Sequence, residues 1–368
     1  MTYARARLWT GVSAVGTFVL FSLIMYLWQL PATLFPFDGG PLWAEWAALV
    51  TLFGLYTLIN LPFDFLGGYW LPCRYHRLCL MFPVFWMKWI RGVLVQGAVM
   101  TASSLLLFET GRRAGLWAAL GVLVALQILL IAFQLPLAKL AGGLAARPAP
   151  QPPAVRLDGF DSGFSGGVSG LPGLETIVLP GHWIDSFTPD QLRAVLLRRS
   201  SVLASGARLR GLAAAMLWNT AGFALSAHLP GAGVERLWEF VTTLVAFTLW
   251  SFLGLLLLPS LSRPAVIAAD RQALNRGANA AALRDAILEI DHWQEDEPQR
   301  GRWIERVFHP IPAVENRLRA LESGAPATGA WHAARMALFL SWANFGMLSR
   351  AVHCNAGRPE LWVLFPSD

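Results

Sequence analysis

Residues 116–137 contain no Asp, Glu, Lys or Arg. An uncharged run of that length is what a helix needs to cross a bilayer core of about 30 Å. Comparable apolar stretches fall at about 8–30, 42–66, 90–108, 209–229 and 237–258, giving roughly six spans in all. Composition agrees: 55% of the 368 residues are hydrophobic and only 14% charged, against roughly 25% charged in a soluble domain. A soluble enzyme is excluded and a polytopic membrane protein is expected. The first stretch lacks a small-residue cleavage site, so it reads as a retained helix and not as a signal peptide.

Sparse charge then reports topology. The net charge of +6 comes from arginines at the ends of apolar runs, with no basic segment interleaved with aromatics, so nucleic acid is not the expected partner. Arg5 and Arg7 precede the first span. Arg74, Arg77, Lys88 and Arg91 lie between the second and third, and Lys139, Arg147, Arg156, Arg193, Arg198, Arg199 and Arg208 between the fourth and fifth. The opposite loops are poorer, although Arg112 and Arg113 run against the trend. Under the positive-inside rule the amino terminus and the two polar segments, 141–207 and 260–329, are expected in the cytoplasm, in a bacterial inner membrane. Three cysteines, Cys73, Cys79 and Cys354, have no metal-type spacing and imply no disulfide framework.

Any chemistry should sit in the polar segments. Residues 147–153 (RPAPQPP) read as a linker, since proline lacks the donor a helix needs. Residues 158–173 are glycine-rich and read as loop, and 175–179 (ETIVL) as a short strand. Thr188-Pro189-Asp190-Gln191 then carries a helix start, with Thr188 as N-cap and Gln191 closing a capping box; Leu192, Val195, Leu196 and Leu203 extend one face to about Ser205. Residues 279–293 and 312–322 read as further helices, the first ending at the acidic run Glu295, Asp296 and Glu297. The tail, 331–352, mixes apolar and polar residues with Arg335 and Arg350 and reads as an amphipathic helix on the membrane or on a partner.

In order and spacing these segments resemble the integral-membrane zinc endopeptidases that include the type I CAAX prenyl proteases and the bacterial heat-shock membrane proteases. Leu61-Pro62-Phe63-Asp64, Gly68-Tyr69, Arg74-Tyr75, then Trp89, Arg91 and Gly92 are similar to that family's "LPF…GY…RYG…W…KG". Residues 163–179, from Gly163-Phe164-Ser165-Gly166-Gly167 to Thr176-Ile177-Val178-Leu179, are similar to "NA…GLG…RIVL", and residues 188–196 to "SPDELEAVL". The resemblance covers the chain to about Leu321. It implies four amino-terminal spans within 1–140, a cytoplasmic zincin-like (gluzincin) α+β domain within 141–329 that includes two further spans, and an extension at 330–368 beyond the family's usual end.

The resemblance also exposes what is missing. The family's H-E-x-x-H places two imidazoles on one helical face with a general base between them. Here that register reads Arg198-Arg199-Ser200-Ser201-Val202, and neither arginine offers zinc a lone pair or water a base. The third ligand, Glu in "SRxxExxAD", is replaced by Val266 in the frame from Ser262-Arg263 to Asp270. Zinc is therefore expected to be absent. Asp270 matches the acidic residue that steadies a ligand His, and His309 with Arg317 matches "HPxxxxRI". A carboxylate facing guanidinium suggests an Asp270 ion pair with Arg198 or Arg199 where the metal would sit.

Other groups are weaker candidates. His182, His292 and His309 offer no ligand pair on one face, and Ser200 and Ser201 lack a nucleophile elbow. Asp64 and Glu45 face either a protein interior or the membrane interface. The leading reading is a catalytically inactive pseudoprotease serving as scaffold, assembly factor or accessory subunit, docking through residues 324–368. The alternatives are an active membrane zinc endopeptidase with a non-standard site, and a module that holds lipidated peptides uncut.

Overall fold

The computed structural model describes residues 1–36, 41–77, 79–149, 154–159, 161–294, 300–323 and 328–365. Residues 150–153 of the expected linker and the acidic Glu295, Asp296 and Glu297 lie outside the described residues. The chain is mostly helical. It runs α1 (Tyr3–Leu27), α2 (Leu30–Leu34) and α3 (Leu42–Phe65), then through a π-helical turn (Leu66–Trp70) into α4 (Leu71–Arg74), α5 (Phe82–Ala132) and α6 (Gln134–Gly142). Four short strands follow, β1 (Ala145–Pro148), β2 (Ala154–Asp158), β3 (Gly167–Ser169) and β4 (Thr176–Pro180). The remainder is α7 (Gly181–Ser186), α8 (Pro189–Ala204), α9 (Ala207–Ala227), α10 (Leu237–Leu257), α11 (Pro259–Asn275), α12 (Ala280–Gln294), α13 (Arg302–Phe308), α14 (Val314–Ser323) and α15 (Ala333–Leu340).

Among the described residues four helical stretches are long and apolar enough to cross a bilayer: Tyr3–Leu27, Leu42–Arg74, Phe82–Ala132 and Leu237–Asn275. Two expected spans merge in α5, which breaks at Gly115, where φ 78° and ψ 178° lie in a region open to glycine alone. The expected span at 209–229 forms α9, but with Arg208, Arg210 and Asn219 in it this helix is outside the four.

The sheet has the order β1-β2-β4-β3, with β2 and β4 parallel and both outer pairs antiparallel. Two expectations are corrected here. Arg147 and Pro148, read as linker, form part of β1, an edge strand where proline's missing donor costs least. The glycine-rich stretch contains β3, which pairs with β4 from Gly167 to Ser169. The helix signals fare better. Thr188 and Gln191 form the reciprocal capping box of α8, and Asn279 Oδ1 accepts from the backbone of Ala281 and Ala282 at the head of α12.

The cysteine reading is also corrected: Cys73 and Cys79 form a disulfide, with Cα atoms 4.6 Å apart. The helical turn of α4 ends at Tyr75, and His76 adopts a left-handed backbone (φ 53°) that reverses the chain and brings the two together. Cys354 is buried, and its thiol donates to Asn355 Oδ1 at 3.3 Å.

The largest correction concerns the carboxy-terminal segment. It was expected as an interfacial, partner-docking extension, but residues 330–365 fold into the interior of the bundle. Trp342, Phe345, Met347, Leu348 and Trp362 are fully buried. α15 packs along α9, and the turn Ser341–Asn344 lies against α5. The polar residues that made this segment look amphipathic have partners inside. The Asp64 carboxylate accepts from Trp89 Nε1 (2.9 Å) and from the Gly357 backbone (2.8 Å), and lies 3.8 Å from Arg350 Nε. The Arg350 guanidinium sits between the rings of Tyr56 and Trp362, 4.8 and 4.9 Å from their centroids. Glu360 is paired with Lys88, and Asn219 donates to the Ala337 carbonyl at 2.9 Å. Close approach is sterically required at the π-helical turn, where a Cβ on Gly68 would lie 2.2 Å from the Gly357 carbonyl oxygen. Asp64 thus faces the protein interior, and so does Glu45, which is fully buried and accepts from Arg112 Nη1 at 2.6 Å.

Candidate functional site: a buried guanidinium–carboxylate cluster

Two helices present facing stripes. On α8 the buried positions are Ala194, Val195, Arg198, Arg199, Ser201 and Val202, and on α11 they include Ser262, Ala265, Val266, Ala269, Asp270 and Ala273. Each set recurs at i, i+3, i+4 and i+7, the pattern of a helix face turned to a core. The two helices pack together. Arg198 and Asp270 are therefore buried by the same periodicity that buries the neighbouring valines and alanines, and they must satisfy each other.

They do so with a third partner. Arg198 Nε donates to Asp270 Oδ1. From α14, Arg317 makes a two-pronged contact, Nε to Oδ2 and Nη2 to Oδ1, both at 2.9 Å. All three side chains are at most 3% exposed, so one carboxylate serves two guanidiniums away from water. Charge-assisted bonds of this kind are among the stronger ones, yet the desolvation they offset is of similar size.

Arg199 turns the other way, toward the sheet. Its Nη atoms donate to the carbonyls of Val178 in β4 and Ser165 in the loop before β3. Its guanidinium carbon lies 4.9 Å from the Trp183 ring centroid. Burial, and secondarily the charge of Arg198, pull the Arg199 guanidinium well below its ordinary pKa. Burial also lowers that of Arg198, against the opposing pull of Asp270. Val202 and Val266 are fully buried and carry no donor or acceptor on their side chains.

Of the residues singled out from the sequence, Arg198, Asp270 and Arg317 converge, with Val202 and Val266 on the same two helix faces. His309 instead caps α13 and meets His353, their ring centroids 5.1 Å apart. Ser200 and Ser201 donate their hydroxyls to the Leu197 carbonyl one turn back, at 2.9 and 2.7 Å. His182 packs edge-on against Trp293 at 5.0 Å, and its imidazole pKa is lowered, first by burial. Trp183, the Val178 carbonyl and the Ser165 carbonyl were not anticipated. A carbonyl leaves no trace in residue identity, and Trp183 had no motif around it.

The zinc that the family resemblance implies does not fit this donor set. Zinc takes imidazole, thiolate or carboxylate, whereas the matching positions hold Arg198, Val202 and Val266. Both oxygens of Asp270 already accept from guanidinium. Among the described residues no three of His, Cys, Asp and Glu are grouped so as to hold a metal.

No family model and no curated protein matches the chain. Among solved structures, the crystal structure of S. mikatae Ste24p superposes with a TM-score of 0.66, covering 83% of this chain and 82% of that one at 16% identity. At that identity the likeness is one of fold, and together with the apolar helices it makes this chain an integral membrane protein with the fold of Ste24p.

Proposed function

We propose that this chain is a catalytically inactive homologue of the membrane zinc metalloproteases, retained as a structural component of the membrane and not as a peptidase. The observation that carries the reading is the Arg198–Asp270–Arg317 cluster, set between α8 and α11 where the resembled family would carry its metal. A site that must polarise a carbonyl and activate water needs a Lewis acid and a base. This one offers guanidiniums that neither bind a cation nor accept a proton at working pH. α8 and α11 pack together, and the cluster between them has the chemistry of a tie between helices.

The scaffold or accessory-subunit role rests on the same argument: a fold kept without its reaction centre serves through its surfaces. Residues 330–365 are part of the interior, so any partner meets other faces of the molecule. That packing also weighs against the chain holding a lipidated peptide inside the bundle, because side chains such as Trp342 and Trp362 already fill that interior.

The test is a cleavage assay on purified full-length protein with a farnesylated CAAX-type peptide, with and without added zinc. The reading expects no turnover above a no-protein control in either condition. Zinc-dependent, chelator-sensitive cleavage overturns it. Native purification with identification of co-purifying chains addresses the scaffold role, and a chain that purifies alone under mild solubilisation counts against it.

A further inference from the structure

We propose that α13 lies in the membrane–water interface with its apolar side in the bilayer, mooring the polar half of the molecule to the lipid surface. Its sequence is Arg302-Trp303-Ile304-Glu305-Arg306-Val307-Phe308. Trp303 and Ile304 stand one helical turn before Val307 and Phe308, so the four share one side. That side points outward: Trp303 is 76% exposed, and Ile304 and Phe308 are exposed as well.

The opposite side is committed to protein. Glu305 is buried, and its Oε2 accepts from Asn316 Nδ2 of α14 at 2.8 Å. Arg263 Nη1, from α11, lies 3.2, 2.8 and 3.2 Å from the carbonyl oxygens of Glu305, Arg306 and His309, where a helix end leaves acceptors unsatisfied. These bonds fix the rotation of α13, and turning Trp303 inward would break them.

What covers the outward side follows from its neighbours. α13 packs against α10, part of a stretch able to cross a bilayer, and Val307 and Phe308 line one cavity with Leu255 and Leu256 near the end of that helix. On the other flank, Ile304 and Phe308 line a cavity with Leu8, Trp9 and Val12 at the start of α1, a second such stretch. The outward residues therefore continue the apolar surface of two spans at the same end of both. Trp9, beside α13 and 61% exposed, and Trp303 are of the residue type that collects at the headgroup boundary. A short apolar face in that position is covered by lipid to a depth of about 5–10 Å. The attachment is apolar and needs no net charge in the headgroups.

Residues 309–313 lead from α13 to α14, which supplies Arg317 to the Asp270 cluster. The mooring thus reaches the cluster through one short connection, and it holds whether or not the cluster is catalytic.

The test uses full-length protein in phosphatidylcholine nanodiscs, with an environment-sensitive fluorophore on Trp303→Cys. The parent chain, labelled without reductant, fixes the background, since Cys73 and Cys79 are paired and Cys354 is buried. A nitroxide high on the lipid acyl chain should quench the label several-fold more strongly than aqueous iodide does. The unaltered chain supplies an independent reading: native Trp303 should react with a lipid-partitioning carbene and resist hydroxyl radicals generated in water. Strong iodide quenching, or oxidation of native Trp303 by water-borne radicals, overturns the proposal by placing the ring in water. Protection from both lipid and water probes overturns it too; that is the result expected if a second copy of the chain covers α13.

Discussion

Replacing Asp270 with Asn isolates the tie between α8, α11 and α14. The carboxylate accepts three hydrogen bonds from two guanidiniums, and all three residues are at most 3% exposed. Asn keeps the volume but removes the negative charge and one acceptor oxygen. Arg198 and Arg317 are then left buried with no carboxylate between them. Breaking a buried pair in this way costs roughly 3–5 kcal/mol, on the order of 10 °C in Tm at about 2–4 °C per kcal/mol for a domain of 150–250 residues.

The control is the triple variant Arg198→Met/Asp270→Leu/Arg317→Met, which removes every charge together. Exchanging a buried ion cluster for apolar groups of similar volume is neutral or stabilising by about 1–4 kcal/mol, so this variant should melt at or above the parent. The assay is thermal unfolding of the detergent-purified chain followed by loss of the monodisperse elution peak. A Tm for Asp270→Asn within about 1 °C of the parent would refute the reasoning, because at about 2–4 °C per kcal/mol it places the tie well below 1 kcal/mol. A triple variant as damaged as the single one would refute it as well, by showing that the cluster's charges are needed in themselves.

Truncation before residue 330 should abolish accumulation of folded protein in the membrane, as judged by detergent-resistant elution; a stable truncated chain would contradict the interior packing of the tail. Trp342→Ala, a milder version, is expected to cost about 3–5 kcal/mol through the cavity it leaves. Thr188→Ala removes the hydroxyl half of the α8 capping box and should lower stability by about 1 kcal/mol, whereas Thr188→Ser should be close to neutral in the same melting assay. The Cys73–Cys79 disulfide bears on orientation: disulfides persist on the oxidising side of a membrane, while the basic residues around it favour the cytoplasm. Labelling of intact cells with a membrane-impermeant maleimide after mild reduction decides the matter, since reaction at Cys73 and Cys79 reverses the orientation drawn from charge alone.

Local signals carried much of the fold. The α8 start was legible because a capping box is written in four consecutive residues, and the apolar helices because their length is set by the bilayer. Arg198 and Asp270 could be brought together across 72 residues only through the order of motifs in a resembling family. No periodicity argument pairs them. What could not be read were features whose cause lies in another part of the chain. Arg350, Asn355 and Glu360 mark the tail as polar, yet Arg350 is stacked between Tyr56 and Trp362, Asn355 bonds the Ser349 carbonyl, and Glu360 meets Lys88. Strand β3 was hidden in glycines that favour a loop until β4 supplies the ladder. Cys73 and Cys79 were separated by a spacing with no metal or redox pattern, and a left-handed residue at His76 closes that gap.

The central claim is that cationic and aliphatic side chains have replaced a metal centre. Metal content of the purified full-length protein, measured by mass spectrometry after dialysis against zinc-containing buffer and removal of free metal, tests it most directly. The account expects zinc far below one equivalent per chain, unchanged by Asp270→Asn. One equivalent of tightly held zinc or manganese would contradict it.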